Sequence, residues 1–345
     1  MDKLQTQYNI EFKNCNKYEH IILDIFENDN LNYDLTDINI LNIIGSYYRY
    51  KIKNYDEMKK YYLMSIELKN VNSMCSLAMF YQNDEKNYNE MKKYYLMAIE
   101  LNYSYAMYNL GYYYQNIEGN YSEMKKYYLM AIKLKNINAM FNLAYYYEVY
   151  ELNYDEMKKY YLMAIELKNN DAMFNLGYYY YYVEKNYDEM KKYYLMAIEL
   201  KNRKALYNLG HHYQHIEINY DEMKKYYFMG VELNNHEAIN NLAYYYQTIE
   251  NNYEEMKKYY LMAIKLNNNF SINNLCEYYD KYMQHYLLRQ LNSTIATKKV
   301  KELEENNFLG VKIFKELTEY CFNPQRLLKL CNIYEIDLND YMDII

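Results

Sequence analysis

Asn120-Tyr-Ser-Glu-Met-Lys-Lys-Tyr-Tyr128 is one of seven near-identical nonapeptides in this chain of 345 residues. The others begin at Asn54, Asn87, Asn153, Asn186, Asn219 and Asn252, so each start lies 33 residues after the last. A fixed period of this length marks a stacked-repeat architecture, and it overrides the two or three globular domains that length alone suggests. The residues inside the nonapeptide say what each repeat contains. Asn120 followed three residues later by Glu123 has the form of a helix capping box, with Asn in place of Ser or Thr. All seven copies keep both residues, and an acidic first turn suits the helix dipole. Met124, Tyr127, Tyr128, Ala131 and Ile132 then follow the i, i+3, i+4, i+7, i+8 template of a buried helical face.

Upstream, residues 105–116 also read as a helix, with Ala106, Met107, Leu110, Tyr113 and Tyr114 on one face at about 100° per residue. Gly111 sits beside Leu110, and the same slot holds Gly45, Ala78, Ala144, Gly177, Gly210, Ala243 and Cys276. Only small residues occur there, which suits close approach of two helices. Each repeat is therefore a helical hairpin that cannot bury its faces alone, and stacking on neighbours completes the core.

Apolar residues make up 51% of the chain, yet mean hydropathy is −0.62, because Asn and Lys stand beside 55 Tyr. In a tyrosine-rich core each buried hydroxyl must be paired or tipped toward water. A net charge of −7 lacks the basic footprint of a general nucleic-acid binder, so no nucleic-acid partner is expected. Cys15, Cys75, Cys276, Cys321 and Cys331 are scattered without metal spacing and read as free thiols in a reducing compartment. The first ten residues lack the apolar segment of a secretory signal, and no apolar run is long enough to span a bilayer. The expectation is a cytoplasmic protein without membrane contact. There is no phosphate-cradling Gly loop, nucleophile elbow or HExxH, so neither enzymatic activity nor a cofactor is expected.

Ala106-Met-Tyr-Asn-Leu-Gly111, then Tyr114, then Asn120-Tyr-Ser-Glu-Met-Lys-Lys-Tyr-Tyr-Leu-Met-Ala131 together resemble the Sel-one-like repeat, a branch of the tetratricopeptide-like superfamily. The resemblance runs from about Ile38 to Tyr279. Thirteen residues separate Ala131 from the next small slot at Ala144, which matches Sel-one-like spacing. The loop before the second helix is shorter than is typical of those repeats and lacks their Gly-rich stretch. The resemblance implies an all-α fold, a right-handed α-solenoid of stacked helix-turn-helix repeats that scaffolds protein contacts without catalysis. The AT-rich codon style also resembles repeat arrays of giant DNA viruses of amoebae, which would place the chain in a host cytoplasm. Residues 1–37 read as an N-terminal helical cap with Ile21, Ile22, Ile25 and Phe26 as its apolar stripe. Residues 38–279 form the repeat array. Residues 280–345 read as a C-terminal helical cap or a small docking module, with Asn323-Pro324 starting a helix that carries Leu327, Leu328 and Leu330.

First helices line the concave wall in folds of this superfamily. On that wall Asn109, Asn142, Asn175, Asn208 and Asn241 make a ladder, continued by Asn274. Beside them run Tyr112, Tyr145, Tyr178, His211 and Tyr244. An amide both donates and accepts, so such a row can hold an extended peptide backbone, and a peptide or protein partner is expected. The alternative is that these Asn bond to neighbouring helices or face water. Two flanking slots vary most: Tyr105, Asn138, Asp171, Lys204, Glu237, and Asn116, Val149, Tyr182, His215, Thr248. Ligand specificity and drift after duplication both give that pattern.

The Lys pairs from Lys59-Lys60 to Lys257-Lys258 lie close to acids on their own helices, so they read as a neutralised, solvated face rather than a phosphate strip. Leu63-Met64 through Leu261-Met262 read as lateral helix contacts, or as a strip for self-association. A self-assembling structural element, using that strip or the chain ends, is the alternative function, although a monomer is the expected state. His211 and His215 stand four apart, a spacing that can chelate zinc, but no Cys or third ligand accompanies them and no metal site is expected.

Overall fold

The computed structural model describes Leu4 and residues 16–271, 273–275 and 277–278. The C-terminal segment 280–345 and the slot residue Cys276 lie outside the described residues, as does most of the stretch before Asn16. Every regular element among the described residues is helical. The second helices are Tyr55–Glu67, Tyr88–Glu100, Tyr121–Lys133, Tyr154–Glu166, Tyr187–Glu199, Tyr220–Glu232 and Tyr253–Lys265, with starts 33 residues apart. The first helices of the hairpins are Ile38–Tyr47, Val71–Asn83, Ser104–Tyr113, Ile137–Tyr146, Asn170–Tyr179, Arg203–His215 and His236–Tyr245. An additional helix, Glu19–Asn28, buries Ile22, Ile25 and Phe26 against Ile40, Ile43, Ile44 and Tyr47. The chain divides into two compact units, Met1–Ala172 and Met173–Ile345, with the boundary inside the helix Asn170–Tyr179. Each unit repeats the same hairpin chemistry.

The Asn caps form as the sequence indicates. Asn120 Oδ1 accepts from the Glu123 N–H at 3.2 Å, and all seven second helices start this way. The reciprocal half of the capping box does not form. Asn120 N–H donates instead to the Tyr114 carbonyl at 2.9 Å, and Glu123 pairs with Lys126 at 2.8 Å. Just upstream the first helix widens into a five-residue π turn, Tyr114–Glu118, in which the Tyr114 carbonyl accepts from the N–H groups of both Gly119 and Asn120. The turn is not required for the bond, since Asn87 and Asn219 donate in the same way to the Tyr81 and Tyr213 carbonyls, at 2.8 and 2.9 Å, after first helices without one. π turns also close the first helices at Tyr48–Ile52, Tyr147–Glu151, Tyr180–Glu184 and Tyr246–Glu250, whereas Val71–Asn83 and Arg203–His215 stay α-helical to their ends. The next turn needs a left-handed residue. Gly119 supplies it in one copy, while Lys53, Lys86, Leu152, Lys185, Ile218 and Asn251 adopt it without glycine's freedom.

Inside a hairpin, two tyrosines do most of the packing. Tyr128 is fully buried over the small slot, where a Cβ on Gly111 would stand 2.7 Å from its ring. Tyr127 stacks on Tyr114 with centroids 5.6 Å apart and planes 2° apart. The same stack recurs in all seven hairpins within 5.5–5.9 Å and 8°. Such pairs are worth about 0.5–1.5 kcal/mol beyond the area they bury.

Between hairpins the connection is electrostatic as well as apolar. The second Lys of each pair bonds the Glu three residues before it, as with Lys126 and Glu123. The first Lys does not stay on its own helix, as sequence pairing suggests. It reaches the Glu 26 residues later, in the next hairpin: Lys59–Glu85, Lys92–Glu118, Lys125–Glu151, Lys191–Glu217 and Lys224–Glu250. That Lys also lies over the aromatic rings of the next hairpin, as Lys92 does over Tyr113 and Tyr114 at 5.1 Å each.

Candidate functional site

The ladder residues fall into two groups. Asn109, Asn142, Asn175, Asn208 and Asn241 are half-buried. Tyr112, Tyr145, Tyr178 and Tyr244 are 42–45% exposed, and His211 is half-buried. Within the first unit Asn109, Tyr112, Asn142 and Tyr145 share the first-helix face. Within the second unit Asn175, Tyr178, Asn208, His211, Asn241 and Tyr244 do the same.

The half-buried position of the Asn follows from what they bond. Asn208 Nδ2 donates to the Tyr194 hydroxyl at 3.1 Å, and Asn241 Nδ2 to the Tyr227 hydroxyl at 3.2 Å. Asn142 Nδ2 reaches Tyr108 at 3.3 Å and Tyr128 at 3.4 Å. Asn109 lies beside Tyr95, and its Nδ2 is buried without a hydrogen-bond partner. Tyr128, Tyr194 and Tyr227 belong to the second helix of the preceding hairpin, fourteen residues earlier, whereas Tyr108 lies on its first helix. The amides therefore answer the requirement that a buried tyrosine core imposes. Phenols at this slot also find acceptors in their own hairpin: Tyr128 donates to Gln115, Tyr227 to Gln214, Tyr260 to Gln247, and Tyr161 to Glu148. Burial pushes the Tyr128, Tyr194 and Tyr227 phenols well above their ordinary value, against the opposing pull of the Asn amides. Burial likewise raises the Glu148 carboxyl, which the Tyr161 hydroxyl partly offsets.

The side-chain oxygens of Asn142 and Asn208 receive no hydrogen bond from a described residue. Around them the surface is aromatic. In the second unit Phe174, Tyr178 and Tyr182 are in ring contact, with Tyr178 and Tyr182 centroids 4.3 Å apart. Lys204 lies 5.9 Å from the Phe174 ring. Tyr207 contacts His211, which contacts His215. The variable slots therefore border the exposed rings. The exposed row was legible as a repeated Tyr, but the engagement of the amides depends on phenol partners that lie in another hairpin.

Both lysines of most pairs are ion-paired. Leu63, Leu96, Leu129, Leu162, Leu195, Phe228 and Leu261 stand 38–42% exposed on the second helices. His212 is buried in the slot that holds Tyr113, Tyr146, Tyr179 and Tyr245 elsewhere; its Nε2 lies 3.0 Å from Glu217 and its Nδ1 has no partner. Among the described residues no group of three or more His, Cys, Asp or Glu could hold a metal ion. No helix among them is long and apolar enough to cross a membrane.

No protein-family model and no curated protein matches the chain. Similar solved structures include the Sel1 repeat protein from Oxalobacter formigenes, at 20% identity and a TM-score of 0.49, covering 68% of this chain and 100% of that one. The protective antigen c5321 of uropathogenic Escherichia coli, which displays an SLR fold, is 18% identical over 72% of this chain and 68% of its own, with a TM-score of 0.38. Human IFIT1, solved as a dimer with PPP-AAAA, is 18% identical over 86% of this chain and 73% of its own, with a TM-score of 0.42. These are helical-repeat structures of the kind the sequence resembles. At such identities and scores they carry no argument about binding, and the fold rests on the helix order and packing given above.

Proposed function

We propose that the chain is a non-catalytic scaffold that holds a peptide or protein partner on the exposed face of its first helices. The observation that carries this reading is the tyrosine row. Tyr112 and Tyr145 in one unit, and Tyr178 and Tyr244 in the other, present large rings to solvent at the same slot of their hairpins, with His211 at that slot between the latter two. Rigid aromatic side chains supply contact area at low entropic cost. The unfilled oxygens of Asn142 and Asn208 are available to peptide N–H groups. The reading thus shifts weight from amides to rings, because the amide N–H groups already serve the core.

The test is selection from a displayed random-peptide library on the full chain, followed by binding to a variant with Tyr112, Tyr145, Tyr178 and Tyr244 all changed to Ala. Loss of binding with an unchanged helical spectrum and melting point supports the face. Peptides that bind the variant as tightly as the wild type remove it. A second reading, self-assembly, is favoured by the exposed Leu and Phe of the second helices. Light scattering across concentrations separates the two: a strict monomer eliminates self-assembly.

A further inference from the structure

We propose that His211 and His215 together form a bidentate site for a divalent first-row transition-metal ion, with water completing its coordination. The site goes beyond the scaffold reading and does not depend on it. The helix Arg203–His215 keeps its α-helical winding through His215, so residues four apart lie one above the other on one face. The two imidazoles are in contact, with centroids 4.3 Å apart. Neither ring forms a hydrogen bond with a described residue. The other described His of this unit are occupied: His212 by Glu217, and His236 by Asn268 and Glu237. His215 is exposed and His211 half-buried, so solvent and ions reach the pair.

The chemistry fits. A neutral imidazole is a good ligand for borderline ions such as Zn(II), Ni(II) and Cu(II). Two ligands are too few for a closed structural zinc site, which takes four. That shortage was the reason to expect no metal from the sequence. An open two-imidazole site needs no third protein ligand, and its affinity should follow the general order that places Cu(II) highest. The repeat supplies its own controls, since the same slots hold Tyr178 and Tyr182 in one hairpin, and Tyr244 and Thr248 in another.

The test uses the full chain free of any affinity tag, titrated by calorimetry with CuCl2 and separately with ZnCl2. Electron paramagnetic resonance of the Cu(II) complex reads the nitrogen donors. We expect one saturable site, a two-nitrogen signature, and tighter binding of Cu(II) than Zn(II). His211→Tyr and His215→Thr, which install residues native to these slots, should each lower affinity by at least the ~10–100-fold that loss of an outer-shell partner costs. His236→Ala should leave binding unchanged. Absence of saturable binding, or full affinity in the His211→Tyr/His215→Thr double variant, overturns the site.

Discussion

Asn241 donates its side-chain amide to the Tyr227 hydroxyl at 3.2 Å, and Tyr227 in turn donates to Gln214 at 2.9 Å. Tyr227 is fully buried, so both bonds lie where an unmet polar atom is expensive. Asn241→Ala removes the donor but leaves the acceptor, and should cost about 1 kcal/mol in denaturant unfolding. In Tyr227→Phe the same Asn no longer has a hydroxyl to serve. The double variant should therefore lose less than the sum of the two single variants. Strict additivity would show that the amide faces solvent and is free for a ligand.

Glu148 occupies the acceptor slot that Gln115, Gln214 and Gln247 fill in other hairpins, at 2.6 Å from the Tyr161 hydroxyl. Burial raises its folded pKa. A raised carboxyl binds more protons in the folded than in the unfolded state. Its charged form therefore costs stability as pH rises above the unfolded value of about 4.3. Glu148→Gln keeps an acceptor oxygen and removes that cost. The variant should melt higher than wild type at pH 7, with the difference shrinking to nothing near pH 4. A melting gain that is the same at both pH values would refute the electrostatic cause.

How much of this was legible follows from where each signal lies. The caps at Asn54 through Asn252, the buried stripe Met124–Tyr128–Ala131 and the small slot at Gly111 each reside within one helix or its start, and the structure has all three. The π turns carry no such mark. Tyr114–Glu118 contains neither Gly nor Pro, and only one of seven following left-handed positions is Gly. The site was half legible. The repeated Tyr112 slot reads as exposed, and it is. The Asn slot reads as exposed by helical angle, but Tyr128 of the preceding hairpin covers that angle for Asn142. A periodicity plot of one helix does not show a neighbour that arrives from another hairpin.

The small slot gives a prediction with a threshold. A Cβ on Gly111 would stand 2.7 Å from the Tyr128 ring, closer than contact allows. Yet Ala144 occupies the same slot under Tyr161, where Phe141 meets the ring at 53° rather than the 20° of Tyr108 on Tyr128. The ring arrangement of an Ala hairpin therefore differs. Gly111→Ala gains about 1 kcal/mol of helix propensity and spends most of it on moving Tyr128, so unfolding free energy should change by less than about 1 kcal/mol. Gly111→Val leaves no such arrangement and should cost about 1–3 kcal/mol. Equal tolerance of Val and Ala would mean that the two helices are not in close contact there.

The ion pairs between hairpins make stability depend on acid. Lys92 on Glu118, Lys125 on Glu151 and Lys191 on Glu217 are the main causes holding those carboxyls below their ordinary value. A depressed folded pKa contributes stability that is complete above the unfolded value of about 4.3 and is lost as pH falls through the folded one. Each Glu is partly exposed, so screening limits the effect to about 0–1 kcal/mol per pair. Gln at all three positions keeps an acceptor for the Tyr113 and Tyr146 hydroxyls and deletes only the charge. The triple variant should be less stable than wild type at pH 7 and low salt, and should approach it below pH 4 or in about 1 M salt, where the Debye length is near 3 Å. A stability deficit that persists unchanged in acid and in salt would mean that these glutamates act through packing, and that the lysines crossing between hairpins contribute little charge stabilisation.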